Sequence, residues 1–367
     1  MQSTNERITL QIDNDEIPVV VGEGAVDHLM SEVDKYSEIV FMVSKNVEQK
    51  YQDIIPKLNS VRGDVTKISL VDGESLKNIR NYQKIMRVLV ERQVSRRSLL
   101  IYAGGGTVGD LAGYIASTYK RGIDMIALPT TLLAQVDSAV GGKNGINFSG
   151  VKNVIGSFYN PRMILADTRF LRKLDLSIVR DGISEIIKYG AVCDHTIMSM
   201  LDSQMDIHDL MNGDSLTRII SKCIRTKGDI VASDYYDEKG ERNVLNFGHT
   251  IAHGIESASK NEVTHGNAVA TGMLAEAYIG EKMGITGREV RLKIQEVIGK
   301  FSISLAPLNS LGLQNMIKYI SNDKKASDGH VSMVIPEEIG KSQKIRASVK
   351  DIFSYMKSFT DSYNLGN

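Results

Sequence analysis

The chain has 367 residues, 42% of them hydrophobic and 24% charged, an ordinary soluble globular composition in a length that exceeds one typical core. Lysine plus arginine and aspartate plus glutamate each number 44, so the net charge is zero and argues against nucleic acid or an anionic membrane as a general partner. Two cysteines, Cys193 and Cys223, make no disulfide framework, and no apolar run reaches signal-peptide or membrane-span length, so a cytoplasmic location is expected.

Residues 18–22 (PVVVG), 38–43 (EIVFMV), 67–71 (KISLV), 98–103 (SLLIYA) and 124–128 (DMIAL) read as short strands. Between them, residues 47–58, 76–93 and 108–120 carry helical spacing of apolar side chains. Such alternation predicts a mostly parallel sheet with helices on both faces. No proline occurs between Pro161 and Pro307, and helical periodicity dominates that stretch, as in residues 216–232 and 268–283. The expected fold class is α/β plus all-α: an N-terminal parallel-sheet domain, residues 1–172, followed by a helical C-terminal domain, residues 173–367. The join is expected between Asp167 and Val179.

Strand SLLIYA runs into GGGTVGDLAGYIAS, where Gly104, Gly106 and Gly109 satisfy G-x-G-x-x-G ahead of a helix. Glycines let the backbone approach a pyrophosphate, and the helix N-terminus offers N–H donors and a favourable dipole. The acidic residue that a dinucleotide-binding unit carries ~20 positions later is not evident, and a turn serving helix–sheet packing would look the same. After the next strand, PTTLLAQVDSAVGGKNGIN places Thr130 and Thr131 at a strand end, followed by Asp137 and Lys143, and then Lys152 and Asn153. Taken singly, these are residues of a solvated loop; together, between two glycine-rich turns, they point to a site.

Residues 245–265, LNFGHTIAHGIESASKNEVTH, hold three of the seven histidines. His249 and His253 are one helical turn apart, so spacing alone favours them as joint metal ligands. His249 with His265 is the other choice, freeing His253 for proton transfer. His265, near a helix start, is expected to stay neutral because the dipole disfavours its charged form. Glu185 in DGISEIIKYG is the best carboxylate to complete the set, although Glu185 and Lys188 also fit an exposed i,i+3 ion pair worth ~0.2–0.5 kcal/mol. Arg121, Lys227, Arg242, Lys324 and Lys325 add cations suited to a small, strongly anionic substrate.

Together GGGTVGDLAGYIASTYKRG, PTTLLAQVDSAVGGKNGIN, VKNVIGSFY, SEIIKYG, LNFGHTIAHGIE and THGNAVATGM resemble the 3-dehydroquinate synthase family, in order along the chain from near Asp72 to near Gly340. The resemblance implies a Rossmann-like domain before a helical one, a fold shared with glycerol dehydrogenases, and a homodimer. It implies one Zn²⁺ or Co²⁺ per subunit on Glu185, His249 and His265, with His253 supporting the ligands from behind or acting as an acid–base group. NAD contacts are implied for Glu74, Lys77, Gly105, Gly106, Thr107, Asp110, Thr130, Thr131 and Lys152, with Lys143 serving cofactor and substrate alike. Asp137, Lys188, Lys227, Arg242 and Asn246 are implied at the substrate. Asn153 and Lys325 would join them, and Arg121 would reach the substrate phosphate across the dimer interface.

The implied reaction turns 3-deoxy-D-arabino-heptulosonate 7-phosphate into 3-dehydroquinate and phosphate, in the shikimate route to aromatic amino acids. It runs by transient oxidation by NAD, phosphate elimination, re-reduction, ring opening and aldol closure. Two residues depart from the family's usual pattern. Ser44 stands where an aspartate often contacts the adenosine ribose, which bears on the choice between NAD and NADP, and Asn144 replaces a threonine. Sister sugar-phosphate cyclases and glycerol dehydrogenase-type oxidoreductases are the rival readings.

Overall fold

A computed structural model of the chain describes residues 5–54, 64–213, 215–260, 262–322, 326–327 and 329–363. The chain forms two compact units, Met1–Val179 with Ile220–Glu238, and Arg180–Ile219 with Lys239–Asn367. A single cut at 172/173 does not describe this arrangement. The first unit runs on to Val179 and later takes back a helical segment that sequence reading assigned to the second. Gly228 shows why that segment belongs there: a Cβ on it would lie 2.6 Å from Leu10 Cδ2, so the helix and the first strand meet at close range. Among the described residues no helix is long and apolar enough to cross a membrane.

The first unit contains, in order, β1 (Glu6–Ile12), β2 (Asp15–Val21), α1 (Leu29–Val33), β3 (Glu38–Ser44), α2 (Lys45–Lys50), β4 (Asp64–Leu70), α3 (Ile79–Glu91), β5 (Leu99–Gly104), α4 (Gly106–Thr118), β6 (Asp124–Pro129), β7 (Lys143–Phe148), β8 (Val151–Phe158) and β9 (Met163–Ala166). Seven strands form one sheet in the order β1-β2-β9-β6-β5-β3-β4, parallel throughout except for the antiparallel pair β1 and β2. Every residue of β5, LLIYAG, is buried, as a central strand covered on both faces requires. Phe41, Val43, Ile101, Leu128, Leu165 and Phe170 belong to one apolar cluster of this unit, and each such side chain contributes roughly 1.5–3 kcal/mol when buried. Asn78 starts α3 by accepting the Asn81 N–H at 2.9 Å, which is why that helix begins later than its apolar periodicity. The expected helix over residues 47–58 is shorter in its described part, where α2 stops at Lys50; residues 55–58 lie outside the described residues.

Four strands of this unit escaped the sequence reading: β1, β7, β8 and the four-residue β9. β1 buries only Ile8, Leu10 and Ile12, alternating with Arg7, Thr9 and Gln11, so half of it reads as polar terminus. β7 and β8 pair as a hairpin whose two-residue turn, Ser149 and Gly150, takes positive φ at both positions (50° and 80°). β8 is largely exposed, so it carries no buried-strand signature.

The second unit holds most of α5 (Leu176–Val192), then α6 (His195–Asp202), α7 (Ile207–Asn212) and the start of α8 (Ser215–Ser233). There follow α9 (His249–Ala258), α10 (His265–Lys282), α11 (Arg288–Lys300), α12 (Leu308–Leu311), α13 (Leu313–Asn322) and α14 (Val349–Tyr363). It is helical as expected, with one addition: β10 (Ala326–Ser327), β11 (His330–Glu338) and β12 (Lys341–Ser348) form a small antiparallel sheet. α10 is the core helix, buried at every position from Ala268 to Gly280. Its glycines allow close approach, since a Cβ on Gly272 would come within 2.0 Å of the Gly248 carbonyl oxygen.

Candidate cofactor and metal sites

The glycine turn lies where β5 ends and α4 begins, at the carboxyl edge of the parallel sheet. Gly105 is the N-cap of α4 and no side chain caps this helix, so its first-turn N–H groups face outward for an anion. A Cβ on Gly105 would meet Thr131 Cγ2 at 3.2 Å, and one on Gly106 would meet Ser138 Oγ at 3.0 Å. Glycine therefore keeps open a cradle that side chains would fill, and this fits a pyrophosphate. Thr107 is half-buried beside it; Thr130 is buried, its N–H bonded to the Gly104 carbonyl at 3.0 Å. The Thr131 hydroxyl accepts the Ala134 N–H at 3.2 Å.

Lys77 sits below this turn, 3% exposed, donating to Asp110 Oδ2 at 2.6 Å and to the Asn153 side-chain oxygen. Burial pushes the Asp110 carboxyl up from its ordinary pKa, with Lys77 pulling it back. Asn153 holds left-handed backbone (φ 51°) and its N–H donates to Asn147 Oδ1 at 2.8 Å; the Asn147 amide reaches Glu74 Oε1, also at 2.8 Å. Sequence reading separated Asn153, as a substrate contact, from Glu74, Lys77 and Asp110, as cofactor contacts; the structure brings the four into one network. Lys152 is exposed on β8.

Two further pairs stand in this unit. Lys227, nearly buried, donates to the Asp137 main-chain oxygen at 2.7 Å and lies 3.1 Å from its carboxylate, while Lys143, half exposed, pairs with Asp237 at 2.6 Å. The two departures from the family pattern are also accounted for. Ser44 Oγ donates to Asp72 Oδ2 at 2.5 Å, and Asn46 Nδ2 donates to the same oxygen at 2.9 Å, so a carboxylate stands at the end of β3 although none occurs there in sequence. Asn144 donates to the Gly142 and Tyr159 carbonyls at 2.7 and 2.9 Å and fills the space over Gly113.

The second unit gathers Glu185, His249 and His265, whose ligand-capable atoms lie within 4.8 Å of one another. α5 supplies Glu185 and, one turn earlier, Asp181, which accepts the Thr264 hydroxyl and the Gly266 N–H at 2.8 Å each. Asp181 thus pins α5 to the start of α10, where His265 is the first residue. Glu185 is 1% exposed and Lys188 2%, so the surface ion pair considered from sequence is in fact a buried one. Burial alone would raise the pKa of Glu185, but Lys188 and the two imidazoles overcome it and hold the carboxyl well below the usual range.

Burial pushes His249 down to about 3, so its ring is neutral. Its Nδ1 lies 3.1 Å from the Phe247 carbonyl, which places the proton there and leaves the Nε2 lone pair 3.5 Å from Glu185 Oε1. That carboxylate oxygen is buried and has no hydrogen-bond partner among the described residues. Two acceptors facing each other across such a gap fit a divalent cation. His265 Nε2 is 3.3 Å from the same oxygen, and its Nδ1 is 3.1 Å from Glu256 Oε1. Burial disfavours charge on this ring, yet the two carboxylates beside it, Glu185 and Glu256, outweigh that and push the pKa up to about 10. The helix dipole was expected to keep His265 neutral; two carboxylates decide otherwise. His253 is exposed, its ring 5.8 Å from that of His249.

Arg242 is buried and Asn246 half-buried on the short helix Glu241–Asn246 of this unit. Arg121 lies elsewhere. It follows Lys120 in a turn where both take positive φ (67° and 47°), ahead of β6, at the opposite end of that strand from Thr130. With Lys35, Arg96, Arg97 and Asp124 it lines a cavity of about 440 Å³. Lys325 lies outside the described residues. Sequence reading gave no role to Asp181, Glu256 or Asp72. Asp181 was within reach, one turn before Glu185 on the same helix face; Glu256 and Asp72 became visible only through their partners.

Against known proteins, residues 67–181 match the profile described as 3-dehydroquinate synthase N-terminal, and residues 182–326 match 3-dehydroquinate synthase C-terminal. A 3-dehydroquinate synthase of Thermoplasma volcanium is 50% identical over 361 residues, covering 96% of this chain and 97% of the relative. A solved 2-deoxy-scyllo-inosose synthase complexed with carbaglucose-6-phosphate, NAD⁺ and Co²⁺ matches at a TM-score of 0.86 and 22% identity, over 96% of this chain and 99% of that one. A 2-epi-5-epi-valiolone synthase from Streptomyces hygroscopicus with NAD⁺ and Zn²⁺ bound matches at 0.85 and 21%, with the same coverage. At such identities the two structures speak for the fold.

Proposed function

The chain belongs to the 3-dehydroquinate synthase family, and from that premise we propose that it converts 3-deoxy-D-arabino-heptulosonate 7-phosphate to 3-dehydroquinate and phosphate. It acts as a phosphorus–oxygen lyase with NAD and one Zn²⁺ or Co²⁺ per subunit, as a homodimer in the cytoplasm. The two free cysteines support a reducing compartment. The neutral His249 ring and the orphaned Glu185 oxygen carry the metal reading, because their facing lone pairs call for a cation.

Bound NAD would supply hydride exchange with a carbinol C–H of the substrate, and the divalent ion would make the hydroxyl on that carbon more acidic. Glu185, His249 and His265 would hold the ion, His265 giving up its Nε2 proton to do so while Glu256 keeps the Nδ1 proton and orients the ring. The N–H groups of the Gly105–Gly106 turn take the pyrophosphate, with Thr107, Thr130, Thr131 and Lys152 around it. Lys77, Asp110, Asn153 and Glu74 brace that turn from below.

Asp72, steadied by Ser44 and Asn46, takes the ribose hydroxyls and favours NAD over NADP, since a 2′-phosphate would meet a carboxylate. Asp72→Asn is expected to reduce the preference for NAD in a dinucleotide-binding titration; an unchanged preference would remove Asp72 from this role. Lys227 and Arg242 supply the cations for the substrate carboxylate, and Asp137 and Asn246 make further substrate contacts. Lys143, Lys325 and the partner subunit's Arg121 hold its phosphate. Lys188 pairs with Glu185, and His253, exposed next to His249, relays a proton.

The deciding assay supplies the heptulosonate phosphate, a catalytic amount of NAD⁺ and Zn²⁺ or Co²⁺, and follows phosphate, product and the NADH absorbance together. One phosphate per dehydroquinate with no net NADH is expected. NADH accumulating with turnover would instead identify a glycerol dehydrogenase-type oxidoreductase.

A further inference from the structure

Helix α9 starts on a glycine. Gly248, at φ 79°, is its N-cap and has no side chain with which to satisfy the first-turn N–H groups. Glu276 of α10, fully buried, does this from outside: Oε2 accepts the Gly248 N–H at 2.8 Å and Oε1 the Ile251 N–H at 3.3 Å. The positive end of the α9 dipole favours the carboxylate in return. The contact has no slack, because a Cβ on Gly248 would lie 2.7 Å from Met273 Cγ and one on Gly272 2.0 Å from the Gly248 oxygen.

The capped glycine directly precedes His249. Along α10, Glu276 stands eleven residues after His265, about three turns on and on the same face. One carboxylate therefore ties the start of the helix bearing the first imidazole to the helix bearing the second. We infer that Glu276 is a positioning residue for the metal centre, setting the spacing of His249 and His265 and so the tightness with which a divalent ion is held. The inference rests on the metal reading above and extends it to a residue that is not itself a ligand.

Glu276→Gln keeps the shape but turns an amide N–H toward one of the two donors, so one bond is lost. Co²⁺ is titrated into the wild-type and Gln proteins against a chelator of known affinity, with the visible spectrum of bound Co²⁺ and the thermal midpoint recorded. Ile255→Val, on the buried face of α9, is the control for stability loss alone. Glu276→Gln is expected to lower Co²⁺ affinity about tenfold to a hundredfold and to shift the spectrum, while Ile255→Val keeps both. Should the Gln protein fail to fold, Glu276→Asp retains the charge with a shorter reach, and the same changes are expected in smaller degree. A Glu276 variant that binds Co²⁺ like wild type, or weakens only in step with Ile255→Val, overturns the positioning role and leaves the metal site intact. A wild-type protein that takes up no Co²⁺ overturns both.

Discussion

Two imidazoles, those of His249 and His265, come within 3.5 Å of a buried Glu185 oxygen, while His253 is exposed beside His249. His265→Ala should accordingly strip the metal and abolish turnover, whereas His253→Ala should keep the metal and slow the reaction. Metal content by atomic absorption, read beside kcat, separates the two; metal loss in the His253 variant alone would reverse the assignment. A second residue gives a pH test. Burial pushes the Cys193 thiol up to about 12, with Lys188 pulling it down and Asp194 adding to the rise. The reactive form is the thiolate, so at pH 8 native Cys193 should alkylate about a thousandfold slower than a free thiol, and roughly tenfold faster per added pH unit. The stability linkage has a definite sign. Because the folded thiol holds its proton more tightly than the unfolded one, its contribution is complete below pH 9 and is lost as pH climbs from there toward 12. Native labelling at free-thiol speed, located by peptide mass, would show the burial to be wrong. The chemistry of single residues was legible only in part. Residue type offered Glu185 and three histidines, but spacing favoured His249 with His253; only the family resemblance chose His265, and the charge on that ring depends on Glu256 and Glu185 reaching it through space, which no spacing rule reports.

At the scale of elements, period and punctuation carried well. Central strands such as β5 and helices such as α4 and α10 were readable because their apolar patterns are long and unbroken. β1 was missed because half its side chains face water, and the β7–β8 hairpin because its outer strand buries almost nothing. What sequence could not convey is how closely elements pack. Gly272 looks like one small residue among several, yet its missing Cβ is what lets α10 touch the backbone at the start of α9. Gly272→Ala should therefore destabilise the protein by roughly 1–3 kcal/mol through forced separation of the two helices. Urea unfolding checks this; a midpoint unchanged or raised, as alanine's better helix propensity alone would give, would mean that the contact relaxes freely.

The whole molecule raises the question of Arg121, which lies at the end of β6 away from Thr130. If it serves the partner's substrate, two inactive proteins should rescue each other. Mixed subunits of Arg121→Ala and Glu185→Ala, unfolded and refolded together, should regain about one quarter of wild-type activity, because half the dimers are hybrids with one intact site. No recovery, with dimers verified by sedimentation, would confine Arg121 to its own subunit. The chain's path also bears on how such an enzyme can change over generations. It leaves the first unit after Val179, returns at Ile220 and leaves again after Glu238. A recombination event that exchanged one lobe for a relative's with a single crossover would graft a sheet onto a foreign helix, where Gly228 must still leave room for Leu10. Lobe swapping therefore demands two coordinated exchanges, and inheritance should favour the gene passing whole.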